Sequence, residues 1–290
     1  MKTKPECVPC YLKQVLSIAR EVTSQEEKQL AALDAACRII PSLNHEASPS
    51  ENATLALWEA QKVLGESDPF KAKKQEINAE LLKVLPDYER QVSSATDPLY
   101  TALLFSVAGN IIDLGILPEY DLEQTMAEVL AVEFAINDYV EFTNDLKNAC
   151  KIVVLGDNAG EIVFDRLLVS ELAKHAPVTY VVKGVPILND ATMDDARQVG
   201  MAEIAAVITN GSGYLGTVLE NVSAELKGEL RSADLIISKG QANFETLDQL
   251  AAPIYFVLRA KCLCVAEELK VDEGAMVLKK SDCFAPIAQV

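Results

Sequence analysis

Lys151-Ile-Val-Val-Leu-Gly-Asp-Asn-Ala-Gly-Glu161 is the stretch on which the reading of the whole chain turns. Ile152 to Leu155 is a short β-branched apolar run, the pattern of a strand buried on both faces, and Gly156 is the turn that ends it. Gly160 opens a helix whose apolar residues Ile162, Val163, Leu167, Leu168 and Leu172 recur at helical spacing. Asp157 and Asn158 therefore stand at the carboxyl end of a strand, facing the N–H groups of the next helix. In open α/β sheets, ligands and phosphates bind at that edge. A carboxylate beside an amide oxygen on a rigid turn makes a hard-oxygen corner suited to Mg²⁺ or a similar divalent ion. The same two residues equally suit an Asx-turn capping a helix.

Toward the C-terminus the grammar repeats. Strands are expected at 151–155, 178–182, 204–208, 234–238, 254–258 and 275–278, with helices at 160–174, 191–199, 215–227, 243–250 and 260–269. Such alternation implies a mostly parallel sheet with right-handed crossovers and helices on both faces. Toward the N-terminus the spacing is helical at 11–22, 26–40, 51–64, 68–85, 97–114 and 121–147, with Pro41, Pro49, Pro86 and Pro118 near the breaks. The fold class expected is α/β. An all-helical region over 1–148, divisible into two helical subdomains, packs on a Rossmann-like domain over 149–290 that carries the metal site.

Composition bounds the function. Half of the 290 residues are apolar, enough for a large core. No apolar run approaches the roughly 20 residues of a membrane span, and the first residues lack a signal-peptide core, so a cytoplasmic protein is expected. A net charge of −17 argues against nonspecific binding to nucleic acid or anionic membrane. Seven scattered cysteines do not make a disulfide framework. Cys7-Val-Pro-Cys10 supplies two of the four ligands of a structural zinc, and packing, metal and redox roles all remain open for it.

Polar residues then collect at the expected strand ends. Asn189 and Asp190 follow the second strand of the α/β half, Thr209 to Thr217 follows the third, Lys239 and Gly240 the fourth, and Arg259, Lys261 and Cys262 the fifth. Asp157, Asn158 and Asp190 would hold a divalent cation through oxygen, and Lys239 would set a point charge against a phosphate. Gly211, Ser212 and Gly213 would add N–H donors at a helix start. In the helical half, Asn110 and Asp113 lie three apart on an apolar helix, where they either bond a neighbouring helix or line the site. A phosphate clamped between metal and lysine describes a phosphohydrolase or phosphotransferase.

Rivals exist. Gly211-Ser-Gly-Tyr-Leu-Gly216 matches G-x-G-x-x-G, with Glu229 or Asp234 downstream, so a dehydrogenase or an S-adenosylmethionine-dependent enzyme using this loop is an alternative. A sensor that binds a phosphometabolite without turnover is another. The P-loop pattern and the G-x-S-x-G elbow are absent, and two histidines are too few for a His-rich zinc hydrolase.

Gly156 to Glu161, Lys239-Gly-Gln-Ala-Asn-Phe-Glu245, Lys261-Cys262 and Ala108-Gly-Asn-Ile-Ile-Asp113 resemble the signature blocks of the DUF89, ARMT1-like or damage-control phosphatase family. Cys7-x-x-Cys10-x-x-x-Gln14 resembles its stand-alone prokaryotic branch. The resemblance implies a phosphomonoesterase acting on sugar phosphates or damaged phosphometabolites with Mn²⁺, Mg²⁺, Co²⁺ or Ni²⁺. It implies Asp157, Asn158 and Asp190 as metal ligands, with Lys239 touching the phosphate. Catalysis is assigned to these four. Substrate binding is assigned to Glu161, Asn110, Asp113, Gly211, Ser212, Gly213 and Asn243. The expected partner is a small phosphorylated metabolite, with no nucleic acid and no membrane. Direct attack by water is favoured over an aspartyl-phosphate, because Asp157-Asn-Ala lacks the second acid of a D-x-D motif.

Overall fold

β2 (Ile152–Leu155) is buried at every position inside a seven-stranded sheet of order β1 (Ile136–Asn137), β7 (Met276–Lys280), β6 (Ile254–Arg259), β5 (Leu235–Lys239), β2, β3 (Val178–Val182), β4 (Ala206–Thr209). The computed structural model describes residues 1–109 and 132–286. β3, β4, β5 and β6 run parallel to β2. β7 is antiparallel to β6, and β1 pairs parallel with β7 at the edge. β2, β3 and β5 are buried throughout, as strands covered on both faces must be, whereas edge strand β4 is partly exposed.

Alternation along the strands assigns the two cores. Ile152, Val154, Leu235 and Ile237 face one layer, made by α4 (Lys71–Ser94), α5 (Pro98–Ala108), α6 (Tyr139–Leu146) and α7 (Glu161–Leu172). Val153, Leu155 and Ile236 face the other, made by α9 (Ala224–Ser232), α10 (Gln241–Leu247) and α11 (Leu263–Leu269). α8 (Met193–Gln198) follows β3. A third core joins α1 (Cys7–Val22), α2 (Glu26–Ile39) and α3 (Pro49–Leu64) to Ile187, Leu215 and Cys264. In the first layer the Tyr88 ring meets Phe105 and Phe164 edge-on at 5.0 and 5.3 Å, pinning α4, α5 and α7 together. Each such pair adds about 0.5–1.5 kcal/mol beyond the burial of the rings.

Three expectations are corrected. α4 does not stop before Pro86 but runs through it to Ser94, because Leu81, Leu85, Tyr88 and Val92 continue one buried stripe. The packing of that stripe outweighs a mid-helix proline's cost of about 3 kcal/mol. The segment expected as one helix over 121–147 contains β1, held to β7 by the Ala135 and Asp138 N–H groups at 2.9 and 3.0 Å. Two residues are too few to leave a periodic signal. The helix expected from 215 begins at Ala224, where the Ser223 hydroxyl caps the Leu226 N–H. Asn110 and Asp113 lie outside the described residues.

Candidate active site

From β2 the chain crosses to β3 and β4 on one side, then returns to β5 on the other, so the strand order reverses between β2 and β5. Ligands of open α/β sheets sit in the crevice beyond such a reversal. Gly156 leaves β2 with its N–H on Val181 O at 3.0 Å. A side chain there would put Cβ 2.6 Å from the Tyr180 hydroxyl, so only glycine fits. The loop after β3 folds back on this turn. Ala191 N–H donates to Asp157 O at 2.8 Å, Ala159 N–H donates to Asn189 O at 2.9 Å, and Asn158 bridges Asp190. Asp157, Asn158 and Asp190 are thereby brought side by side. Gly240, at φ +78° after β5, packs directly on the Asp157 carboxylate, where any Cβ would overlap it.

The three residues line a cleft of about 450 Å³ that opens toward α1 and α11. Asp190 is 3 % exposed, and its Oδ2 accepts no hydrogen bond; the Lys183 ammonium stands 3.4 Å away. Burial pushes the Asp190 carboxyl up, against the pull of Lys183. Asn158 Nδ2 donates to Asp157 Oδ2 at 2.7 Å. Among the described residues no three His, Cys, Asp or Glu side chains are grouped so as to hold an ion by themselves. A cation at this corner therefore needs the Asn158 amide beside the two carboxylates. That donor set is all oxygen, and with a buried unbonded carboxylate oxygen in it, it fits a hard divalent ion.

Lys239 lies elsewhere than expected. Strand alternation places it on the face of Leu235 and Ile237, against α5 and α7, and it is 0 % exposed. Its ammonium donates to Glu161, to Asp165 Oδ1 at 2.7 Å and to Ser106 O at 3.2 Å. Ser106 Oγ and Tyr180 OH donate to the two oxygens of Asp165, each at 2.6 Å. Burial disfavours the ammonium, but Asp165 and Glu161 outweigh it and raise the Lys239 pKa. Burial also pushes Glu161 up to about 7, with Lys239 opposing and Asp165 and Asp157 adding to the rise. Lys239 and Glu161 thus form a buried charge cluster behind the cleft wall rather than on its lining.

The Gly211 loop also differs. No α-helix follows it directly, since α9 begins at Ala224, and several of its N–H groups bond within the protein. Ser212 N–H donates to Asn210 Oδ1 at 2.9 Å, Tyr214 N–H to Ser212 Oγ at 3.2 Å and Leu215 N–H to Thr54 Oγ1 at 3.0 Å. Gly211 and Gly213 pack against Ser223 and Val185. The Ser212 N–H read as a phosphate donor is thus already bonded inside the loop, and the helix N-terminus that G-x-G-x-x-G leads one to expect does not follow it. Asn243 is buried as well. Its amide donates to Lys239 O at 2.8 Å and Gly156 O at 3.2 Å, and its oxygen accepts from Thr217 Oγ1 at 2.8 Å, so it ties the two strand-end turns together.

Four residues of the site carry no assignment from the sequence. Asp165 stands four residues after Glu161 on an apolar helix, the same kind of signal that drew attention to Asn110 and Asp113. Asn78 on α4 accepts the Gly160 N–H at 2.7 Å and donates to Asp195 Oδ1 at 3.0 Å, which fixes the turn from the helical side. Lys183 holds Asp190 and the Tyr214 carbonyl. Lys261 is the lysine that lines the cleft. Of the cysteines, Cys264 is pushed by burial up to about 12, and Cys7 and Cys10 are also raised by burial, which works against redox chemistry.

The model of the damage-control phosphatase ARMT1-like domain matches residues 3–277. A protein of Methanocaldococcus jannaschii described only as uncharacterized is 39 % identical over 97 % of this chain and 96 % of its own. Proteins named damage-control phosphatase from Archaeoglobus fulgidus and Pyrococcus horikoshii are 35 % and 33 % identical, over 96 % and 97 % of this chain and 99 % of each of theirs. The crystal structure of a DUF89 family protein from Pyrococcus horikoshii superposes with a TM-score of 0.90 at 32 % identity, covering 97 % of this chain and 100 % of that one. The chain belongs to the damage-control phosphatase ARMT1-like family.

Proposed function

We propose that the chain is a metal-dependent phosphatase of small phosphorylated metabolites, sugar phosphates or their damaged forms. The observation that carries this reading is the oxygen-donor corner of Asp157, Asn158 and Asp190 at the strand-order reversal, where Asp190 Oδ2 accepts no well-formed hydrogen bond and has only the Lys183 ammonium 3.4 Å away. The names of the archaeal relatives support it. When bound there, a divalent ion such as Mn²⁺, Mg²⁺, Co²⁺ or Ni²⁺ supplies charge neutralisation for the phosphate and activation of water.

The chain's own groups do the positioning. Asp157, Asn158 and Asp190 hold the ion, and the Lys183 ammonium restrains Asp190. Lys261, on the cleft wall, meets the substrate phosphate. Lys239 acts from behind by fixing α7 through Glu161 and Asp165. Water in the cleft is the nucleophile, since Asp157 is bonded by the Asn158 amide and packed on Gly240.

The test is phosphate release from a panel of sugar phosphates and an aryl phosphate, with chelator-treated protein and one metal restored at a time. Asp157→Ala and Asp190→Ala should each lower metal-dependent turnover by at least about 100-fold while leaving the melting transition in place. Absence of release with every metal would overturn the phosphatase reading and favour a non-catalytic sensor.

A further inference from the structure

Four of the seven cysteines line one cleft. Cys7 and Cys10 sit on the first turn of α1, and Cys262 and Cys264 sit at the start of α11. The two pairs are about 250 residues apart in sequence, yet Cys7 Sγ and Cys264 Sγ stand 4.0 Å from each other. Residues three apart on a helical turn share a face, which keeps Cys10 beside Cys7.

The surroundings of the sulfurs are unlike those of thiols packed simply as small apolar groups. Three of the four accept an N–H donor: Cys7 from the Lys4 backbone at 3.5 Å, Cys262 from Gln241 Nε2 at 3.4 Å and Cys10 from Gln14 Nε2 at 3.8 Å. Donors of that kind are the outer partners that orient metal-bound ligands. Gln14 Oε1 is buried with no hydrogen-bond partner. Tetrahedral coordination with a Zn–S distance of about 2.3 Å sets two sulfurs about 3.8 Å apart, within a few tenths of the Cys7–Cys264 separation.

We propose that Cys7, Cys10, Cys262 and Cys264 form a second metal site, taking one thiophilic d¹⁰ divalent ion of the Zn²⁺ class, separate from the oxygen corner of the same cleft. As the side chains stand, three thiols do not yet converge on one point. Cys10 is exposed and Cys262 half-buried, so a change of χ1 at these two gathers the set around the Cys7–Cys264 pair. Each thiol releases its proton to solvent on binding, and four thiolates around one divalent ion carry a net −2. The ion would fasten the start of α1 to the start of α11 across the cleft mouth. Soft sulfur at one end and hard oxygen at the other would sort the metals between the two sites. The proposal does not depend on the phosphatase reading.

The experiment titrates the full-length, reduced, chelator-stripped chain with Co²⁺ alone and follows its absorption. The proposal expects sulfur-to-cobalt charge-transfer and tetrahedral visible bands that saturate at one equivalent and are displaced by Zn²⁺. They should persist in the Asp157→Ala/Asp190→Ala variant and in Cys150→Ser/Cys283→Ser. They should be lost in Cys10→Ser/Cys262→Ser, which alters only the two less buried thiols. A spectrum without charge-transfer bands, or bands that survive Cys10→Ser/Cys262→Ser, would overturn it. Should that variant fail to fold, alkylation of the unaltered chain decides. Zn²⁺ must protect these four thiols and leave the rates at Cys37, Cys150 and Cys283 unchanged; uniform rates, or a Cys7–Cys264 disulfide in place of bound metal, would refute the site.

Discussion

Two carboxylate groupings meet at the ends of β2 and β5, and they are finished differently. Behind the wall, Lys239, Glu161, Asp165, Ser106 and Tyr180 close on one another, with both oxygens of Asp165 and the Lys239 ammonium supplied with hydrogen bonds. In the cleft, Asp190 is nearly as buried, but its Oδ2 has no well-formed hydrogen bond and meets the Lys183 ammonium only at 3.4 Å. A closed grouping stabilises one arrangement of the fold, whereas an open one is poised for a ligand. The same residue types therefore serve as structure or as chemistry according to whether their bonding is complete.

The sharpest way to break the closed grouping is Lys239→Met. It strands two buried carboxylates, and it should lower unfolding free energy by about 3–5 kcal/mol in denaturant titrations. Gly240→Ala attacks the open grouping from its back. The added methyl displaces the Asp157 carboxylate, and kcat should fall about 100-fold with a much smaller loss of stability.

Glu161→Gln tests the proton held in the closed cluster. Because burial raises the Glu161 carboxyl from its ordinary 4.5 to about 7, the native state holds a proton there that the unfolded state has released. That contribution to stability is complete below pH about 4.5 and is lost as pH rises to about 7. Melting curves of the metal-free chain should show this fall, and Glu161→Gln should remove it. The smallest effect belongs to Lys261→Ala. A KM raised several-fold, with kcat within about twofold, is expected for an exposed cation that binds substrate without differential gain in the transition state.

The open grouping was the more legible in the sequence. Asp157 and Asn158 end an unmistakable buried strand, and Asp190 follows another, so topology alone carries them to one crevice. The strands at 151–155, 178–182 and 254–258 fall within a residue of the observed β2, β3 and β6. The burial of Lys239 against the helices is not legible in the sequence, because a lysine at a strand end reads alike whether it points at ligand or at helices. Only the assignment of Leu235 and Ile237 to the α5–α7 side decides that question, and it comes from packing. The Gly211 loop is hard to read for a related reason. Its glycines allow close approach to Ser223, Val185 and the α10 backbone, and a spacing motif does not say what approaches. Cys7 and Cys264 give no local hint of each other, since their meeting depends on how α1 lies across α11.

Ile77, Leu81 and Phe105 of the helical half belong to the same apolar cluster as Ile152, Phe164 and Ile237 of the sheet. The boundary visible in the sequence near residue 148 is thus a change of pattern and not a seam. A chain severed there would leave each piece with half an interior, so neither fragment is expected to stand alone. Heat should take the molecule apart in one cooperative transition, with the helical half and the sheet lost together.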